Sequence, residues 1–375
     1  MSVSALPLSA GAIRLDIAVD PQTGDTRRVT IGSTRPTGFS TRLFTGRSPG
    51  DVPGLVARMH ALCGRSHMVA SEVAIVAAMG RDVEAVVAER FEGLVAERLG
   101  EHLRSTVMGA GPARAEIADR EVLADVRAVL AGVRVLTGGL EPQRGYEAVG
   151  SVERIKVALL RLGLAIDRKG RLKTGSGSWG ERVLTAVGAG CGDRYETCDR
   201  LTAEDDAAVI AALARDPARF AAAPRLDGRC PETGPAARAA TGMASADGRT
   251  RLSARLGEIA EAAELLGAPE ADRRRIEGTW VSGARVDSLT GYAAVESPRG
   301  RLHHLVRLDE TGRVASYAIL APTEWNFHPQ GPLVATLAGN RFDLDGEGAR
   351  RAERIAGLFD PCVGFEVRIE EMRDA

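Results

Sequence analysis

The chain has 375 residues, 44% of them hydrophobic, with 49 basic and 50 acidic side chains and a formal net charge of −1. That length can bury a large core, and a near-zero charge with both signs interspersed argues against nucleic acid or an anionic membrane as the main partner. No stretch approaches the roughly 20 apolar residues of a membrane helix, and the opening MSVSALPLSAGAIRL lacks the basic and apolar regions of a secretion signal, so the expected compartment is the cytoplasm.

The first predicted element is a half-buried strand at 13–19, where IRLDIAV alternates apolar and polar residues. TRRVTI at 26–31 is expected to pair with it across Pro21-Gln22-Thr23-Gly24. From about 51 to 135 the pattern is helical and rich in Ala, Val and Leu, and a further helix is expected at 151–163. The segments 166–198 (many glycines) and 223–250 (Pro, Gly and Ala) read as loops or interrupted helices. Between them, Thr202-Ala203-Glu204-Asp205 has capping-box spacing for a helix at 203–214. Leu252, Leu256, Ile259, Ala263 and Leu266 mark one helical face. The period then changes to two, predicting strands at 292–297, 302–308 and 313–320, the last pair joined by the turn Asp309-Glu310-Thr311-Gly312. A final helix at about 347–358 is stopped by Pro361. The expected fold class is α+β and predominantly helical, one domain over 1–375 with a small sheet near each end of the chain.

The five cysteines, Cys63, Cys191, Cys198, Cys230 and Cys362, are odd in number and scattered, unlike a disulfide framework. Cys191 and Cys198 stand seven apart in a glycine-rich segment, a spacing that fits no usual zinc or iron–sulfur motif, with or without Cys230. His60, Cys63 and His67 lie at i, i+3 and i+7 and would share one helical face. Imidazole and thiolate are suitable ligands for zinc, iron or nickel. The same residues would also make a core cysteine beside two partly exposed histidines.

Around that group, Gly46-Arg47-Ser48-Pro49-Gly50-Asp51-Val52-Pro53 followed by Arg58 resembles the approach to the first metal motif of [NiFe]-hydrogenase large subunits, R-x-C-x-x-C-x-x-x-H. In that register Cys63 is the second cysteine, His67 the histidine, and His60 stands in place of the first cysteine. Near the other end, Asp360-Pro361-Cys362 resembles the start of the closing motif D-P-C-x-x-C-x-x-H, with Phe365 in place of its second cysteine and Arg368 in place of its histidine. Nothing after Arg368 resembles the tail that precursors of that family carry. Residues 296–329 hold the longest match: Glu296-Ser297-Pro298-Arg299-Gly300, Leu302, His304, Asp309, Gly312, Tyr317 and Ala321-Pro322-Thr323-Glu324-Trp325-Asn326 follow the order E-A-P-R-G-x-L-x-H, D-G, Y, V-P-[ST]-T-W-N.

The resemblance implies a large-subunit-like helical body. It also implies that Pro298, Arg299, Pro322 and Thr323 surround the cyanide and carbonyl ligands of an iron centre. A planar, permanently charged guanidinium suits an anionic cyanide. Cys63 and Cys362 would be the remaining metal ligands, with His60 and His67 auxiliary to them. Two thiolates cannot rebuild a four-sulfur nickel site. The acid of the family's E-G-H-x-R motif falls on Ala10, which cannot relay a proton.

This pattern is similar to the HupK/HoxV-type hydrogenase expression/formation proteins, large-subunit-like accessory proteins. The expected role is a scaffold in [NiFe]-hydrogenase maturation that holds or transfers an Fe(CN)2(CO) unit without nickel. Its partners would be the hydrogenase large subunit, a small assembly chaperone of the HypC/HupF type, and other iron-centre assembly factors. Two other readings stay open: a metal-free, large-subunit-like docking chaperone, and an enzyme using Cys63 or Cys362 with His60 or His67 as base.

Overall fold

A computed structural model describes residues 11–109, 119–138, 146–189, 199–239 and 247–372. Its described strands are β1 (Ile13–Val19), β2 (Thr26–Ser33), β3 (Ala165–Ile166), β4 (Leu172–Lys173), β5 (Val281–Arg285), β6 (Thr290–Ser297), β7 (Gly300–Leu308), β8 (Val314–Leu320) and β9 (Phe365–Glu371). They form sheets ordered β2-β1-β9, β3-β4 and β5-β6-β7-β8.

The alternation in β1 works as expected. Ile13, Leu15 and Ile17 turn inward and pack with Phe327, Leu333, Phe342, Ile355 and Phe359. β2 runs antiparallel to β1. Beyond the helix expected at 347–358 the chain continues into β9, which pairs parallel to β1 with Ile13 opposite Phe365. Parallel partners need a long crossover, and this one is almost the whole chain. The pairing brings the segment around Cys362 back to the N-terminal part of the fold.

The larger sheet is an antiparallel meander. The helix Gly64–Ala78 lies across it and buries Val69, Val73 and Ala74 against Ala293, Val295, Leu302 and Val306. The approach is close enough that a Cβ on Gly291 would come within 2.3 Å of the Ala74 carbonyl and of the Ala78 nitrogen. A side-chain-free residue is required there.

The remaining helices form the main body. Glu84–Met108, Arg120–Thr137, Tyr146–Arg161, Trp179–Ala189 and Gly248–Leu266 share one apolar cluster built on Phe91, Leu99, Val129, Ile155, Val183 and Leu256. The predicted helical region 51–135 is broken into successive helices, including Val52–Met59 and Gly64–Ala78. The helix expected at 151–163 runs Tyr146–Arg161. The segment 166–198, read as irregular, contains strand β4 and the helix Trp179–Ala189, whose Trp179, Val183 and Leu184 are buried. The capping box at Thr202 and Asp205 is present and leads into the helix Asp206–Arg215. No helix among the described residues is long and apolar enough to cross a membrane.

Candidate metal-subunit-like site

Cys63 is the residue before the first turn of the helix Gly64–Ala78. That turn exposes unpaired backbone N–H groups, and Glu97 from the helix Glu84–Met108 satisfies them. Its carboxylate accepts from Arg65 N at 2.6 Å, Ser66 N at 2.9 Å and Ser66 Oγ at 2.5 Å. Burial pushes the Glu97 carboxyl up to about 7, against those hydrogen bonds. One turn into the helix, His67 stacks on His60 with ring centroids 3.6 Å apart.

Cys362 arrives from the other end of the chain. The helix Gly346–Gly357 ends, Asp360 takes a left-handed conformation at φ 50°, and Cys362 follows Pro361 just before β9. Thr323, in the short helix Pro322–Asn326, donates its hydroxyl to Cys362 Sγ at 3.3 Å. The Cys63 and Cys362 side chains are themselves hydrogen-bonded. That hydrogen bond, then burial, raises Cys63 well above the usual thiol range. Cys362 is held well below it by the bond from Cys63, and, against burial, by Arg299, Arg35 and Thr323. The two sulfurs are therefore coupled, with Arg299, Arg35 and Thr323 favouring negative charge at Cys362.

Arg299 occupies the two-residue turn between β6 and β7 with Pro298, where Ser297 pairs with Gly300. Both turn residues are buried. Its guanidinium lies 3.2 Å from Glu101 Oε2 and 3.4 Å from Asp360 Oδ2, and donates to the Leu62 carbonyl at 3.5 Å. It is charged, since Asp360 and the two sulfurs outweigh the burial that opposes ionisation. The structure thus brings Cys63, Cys362, Arg299 and Thr323 to one place, with Pro322 buried at the start of the Thr323 helix.

The histidines form a run beside the sulfurs. His60 Nδ1 is 3.0 Å from the Val56 carbonyl, and His67 Nδ1 is 2.9 Å from His304 Nε2. His304 Nδ1 in turn meets the Tyr317 hydroxyl at 2.7 Å. Burial lowers the pKa of His60, and those of His67 and His304 well below the ordinary value, so this run of imidazoles is neutral at pH 7. Among the described residues, no three His, Cys, Asp or Glu side chains gather as a metal ion would need. Phe365 opens β9 opposite Ile13, and the exposed Arg368 pairs with Glu366 at 3.0 Å. Ala10, Cys191 and Cys198 lie outside the described residues. Cys230 Sγ is 3.3 Å from His328 Nδ1.

Sequence reasoning missed three groups here. Arg35, in the loop after β2, contacts Cys362 and pairs with Glu324 at 2.9 Å. Glu101 and Asp360 orient Arg299. Behind the Arg299 turn, Arg301 donates to Asp206 Oδ1 at 2.6 Å and to Glu296 Oε1 at 2.9 Å. Glu296 also accepts from Arg238, which pairs with Glu258, and Glu258 is 2.8 Å from His102 Nε2. The only sequence signal for this buried network is the density of charge in a segment otherwise patterned as core strand.

The architecture has the fold of nickel-dependent hydrogenase large subunits. Residues 267–367 match the nickel-dependent hydrogenase family. The reduced, active Ni-Fe-Se hydrogenase of Desulfomicrobium baculatum superposes with a TM-score of 0.63 at 15% identity, over 92% of this chain and 95% of that one. The NAD+-reducing [NiFe]-hydrogenase superposes with a TM-score of 0.59 at 15% identity, over 90% and 93%. At such identities the likeness is one of fold. The hydrogenase expression/formation protein HupK of Rhizobium leguminosarum bv. viciae is 34% identical over 98% of this chain and 99% of its own length. HoxV of Cupriavidus necator is 27% identical over 91% and 93%. The chain belongs to this HupK/HoxV family of hydrogenase expression/formation proteins. With His60 and Phe365 at two of the four sulfur positions, it is a large-subunit relative that has lost the catalytic nickel site.

Proposed function

We propose that this protein acts in hydrogenase maturation as a docking chaperone that presents the shape of a hydrogenase large subunit to the assembly machinery. The observation that carries this reading is a large-subunit fold maintained over nine-tenths of the chain around a site that keeps only two of the four sulfur positions. A body of this size is costly to keep ordered, and a surface recognised by shape needs all of it. The partners on this reading are the hydrogenase large subunit and a small assembly chaperone of the HypC/HupF type. Co-purification of both with the tagged chain, undiminished when Cys63 and Cys362 are both serine, supports docking by shape. Loss of both partners from that variant, with its fold intact, counts against it.

One observation favours a second reading, in which the site holds the Fe(CN)2(CO) unit in transit. Cys63 and Cys362, distant in sequence, meet beside the hydroxyl of Thr323 and the guanidinium of Arg299. The donor set fits such a cargo: two sulfurs for iron, and two hydrogen-bond donors for anionic cyanide nitrogens. His60 and His67 would then be auxiliary to the sulfurs, each ring oriented by the partner of its Nδ1 with Nε2 left as the nitrogen that could face a metal. Infrared spectra of protein purified without oxygen from cells making the assembly machinery test this. Metal-bound cyanide and carbonyl bands that vanish in Cys362→Ser support carriage; their absence from the native protein refutes it.

A further inference from the structure

The Cys362 sulfur has more cationic partners than the sequence reading assigned. Arg299 reaches it from the β6–β7 turn. Arg35 reaches it from the loop after β2, hydrogen-bonds to it, and also acts on Cys63. The Arg35 side chain is only 15% exposed. Glu324, itself 8% exposed, fixes it through a contact from Oε1 to Arg35 Nε at 2.9 Å. Glu324 is the neighbour of Thr323, so the same short helix that aims the hydroxyl at the sulfur also anchors the guanidinium.

Arg35 Nη1 is buried without a hydrogen-bond partner, and so are Arg299 Nε and Glu324 Oε2, while Arg35 Nε faces Glu324 Oε1. Buried donors of a charged guanidinium are rarely left unmade, because water has been removed and nothing has replaced it. Arg299 Nε faces Asp360 Oδ2 at 3.4 Å, which accounts for its position. Arg35 Nη1 has no such acceptor. One thiolate does not use the donors of two guanidinium groups.

We propose that Arg35 is a recognition residue of this site, donating through its unused Nη1 to an anionic acceptor atom bound on the Cys362 sulfur. Glu324 is its positioning residue. Arg35, Arg299 and Thr323 then make a three-donor collar that selects sulfur-bound groups with terminal anionic acceptors over neutral or donor-bearing ones. The identity of the bound group rests on the carrier reading above; the Arg35 contact can be tested without iron.

The test uses a nitrile attached to the sulfur. In the full-length chain with Cys63, Cys191, Cys198 and Cys230 changed to serine, Cys362 is treated with 2-nitro-5-thiocyanatobenzoate. The thiolate attacks the nitrile carbon, a new S–C bond forms, and the aryl thiolate leaves as the old S–C bond breaks. The C≡N stretch of the product reports donors near its nitrogen. Arg35→Met is expected to move the band to lower wavenumber, Arg35→Lys to recover part of the shift, and Glu324→Gln to broaden the band. Circular dichroism identifies any variant that fails to fold, and Arg35→Lys then supplies the comparison. An unchanged band in folded Arg35→Met, or in Arg35→Lys where that comparison stands in, overturns the proposal. A native protein without iron bands but with an Arg35-dependent nitrile shift removes the carrier reading and leaves Arg35 in place.

Discussion

Replacing Asp206 with alanine is expected to be among the most damaging single changes outside the apolar core. Its carboxylate accepts from Arg301 Nε at 2.6 Å and Nη2 at 2.5 Å, from Ser282 Oγ at 2.8 Å, and lies 2.9 Å from His303 Nε2. Asp206 and Arg301 side chains are 6% and 2% exposed. Removing one member of a buried pair strands the other charge, which costs about 3–5 kcal/mol. Glu296, which still holds Arg301 Nη1 at 2.9 Å, places the expectation near 3 kcal/mol. Urea unfolding at pH 7 should show the midpoint falling with little change in slope. Asp206→Leu combined with Arg301→Met should cost less than the sum of the two single changes, because the pair is removed together. The pH dependence follows from the same contacts. Although burial opposes it, Arg301 and His303 depress the folded-state pKa of Asp206 below its usual 3.8. The stabilisation is therefore present above that value and lost as pH falls through the folded pKa. A midpoint within about 1 kcal/mol of wild type, or full additivity of the two single changes, would refute this account of the buried network.

Glu97 has the opposite sign. Burial raises its folded pKa to about 7 from 4.5, so the protein loses stability as pH rises from 4.5 toward 7, by about 3 kcal/mol at about 1.4 kcal/mol per unit. Subtracting the Glu97→Gln profile from wild type over that range should isolate this loss; parallel profiles would place the Glu97 carboxyl in the ordinary range. Gly291→Ala should separate the helix Gly64–Ala78 from β6, since its Cβ would lie 2.3 Å from two backbone atoms of that helix. Thermal unfolding should show a loss of at least about 2 kcal/mol, and an unaltered midpoint would mean the two elements are not packed as described.

Much of this fold is written locally. The alternation of IRLDIAV and the Asp309–Gly312 turn mark their strands because each pattern is complete within a few residues. The strict alternation of FEVRIE marks β9 as a strand, but its partner lies at the opposite end of the chain, and no local period reveals a parallel edge pairing. The helix Trp179–Ala189 was hidden by flanking glycines that mark its boundaries rather than its absence. At the site, Arg299, Thr323, Cys63 and Cys362 were recognisable through family-like motifs, although nothing in the spacing of the two cysteines foretells their contact. Arg35 carried no signal because its role is created by tertiary packing against Glu324. His60 closes the helix Val52–Met59 and Cys63 precedes the helix Gly64–Ala78, so the single helical face suggested by the spacing of His60, Cys63 and His67 is broken, although the His60 and His67 rings still stack.

The most direct test of the docking account is complementation of a strain lacking this protein with the variant in which Cys63 and Cys362 are both serine. Hydrogenase activity restored to the level given by the native chain is the result the account predicts. Variant protein that is folded and abundant yet restores no activity would contradict it, and would place sulfur chemistry, not shape, at the centre of this protein's work.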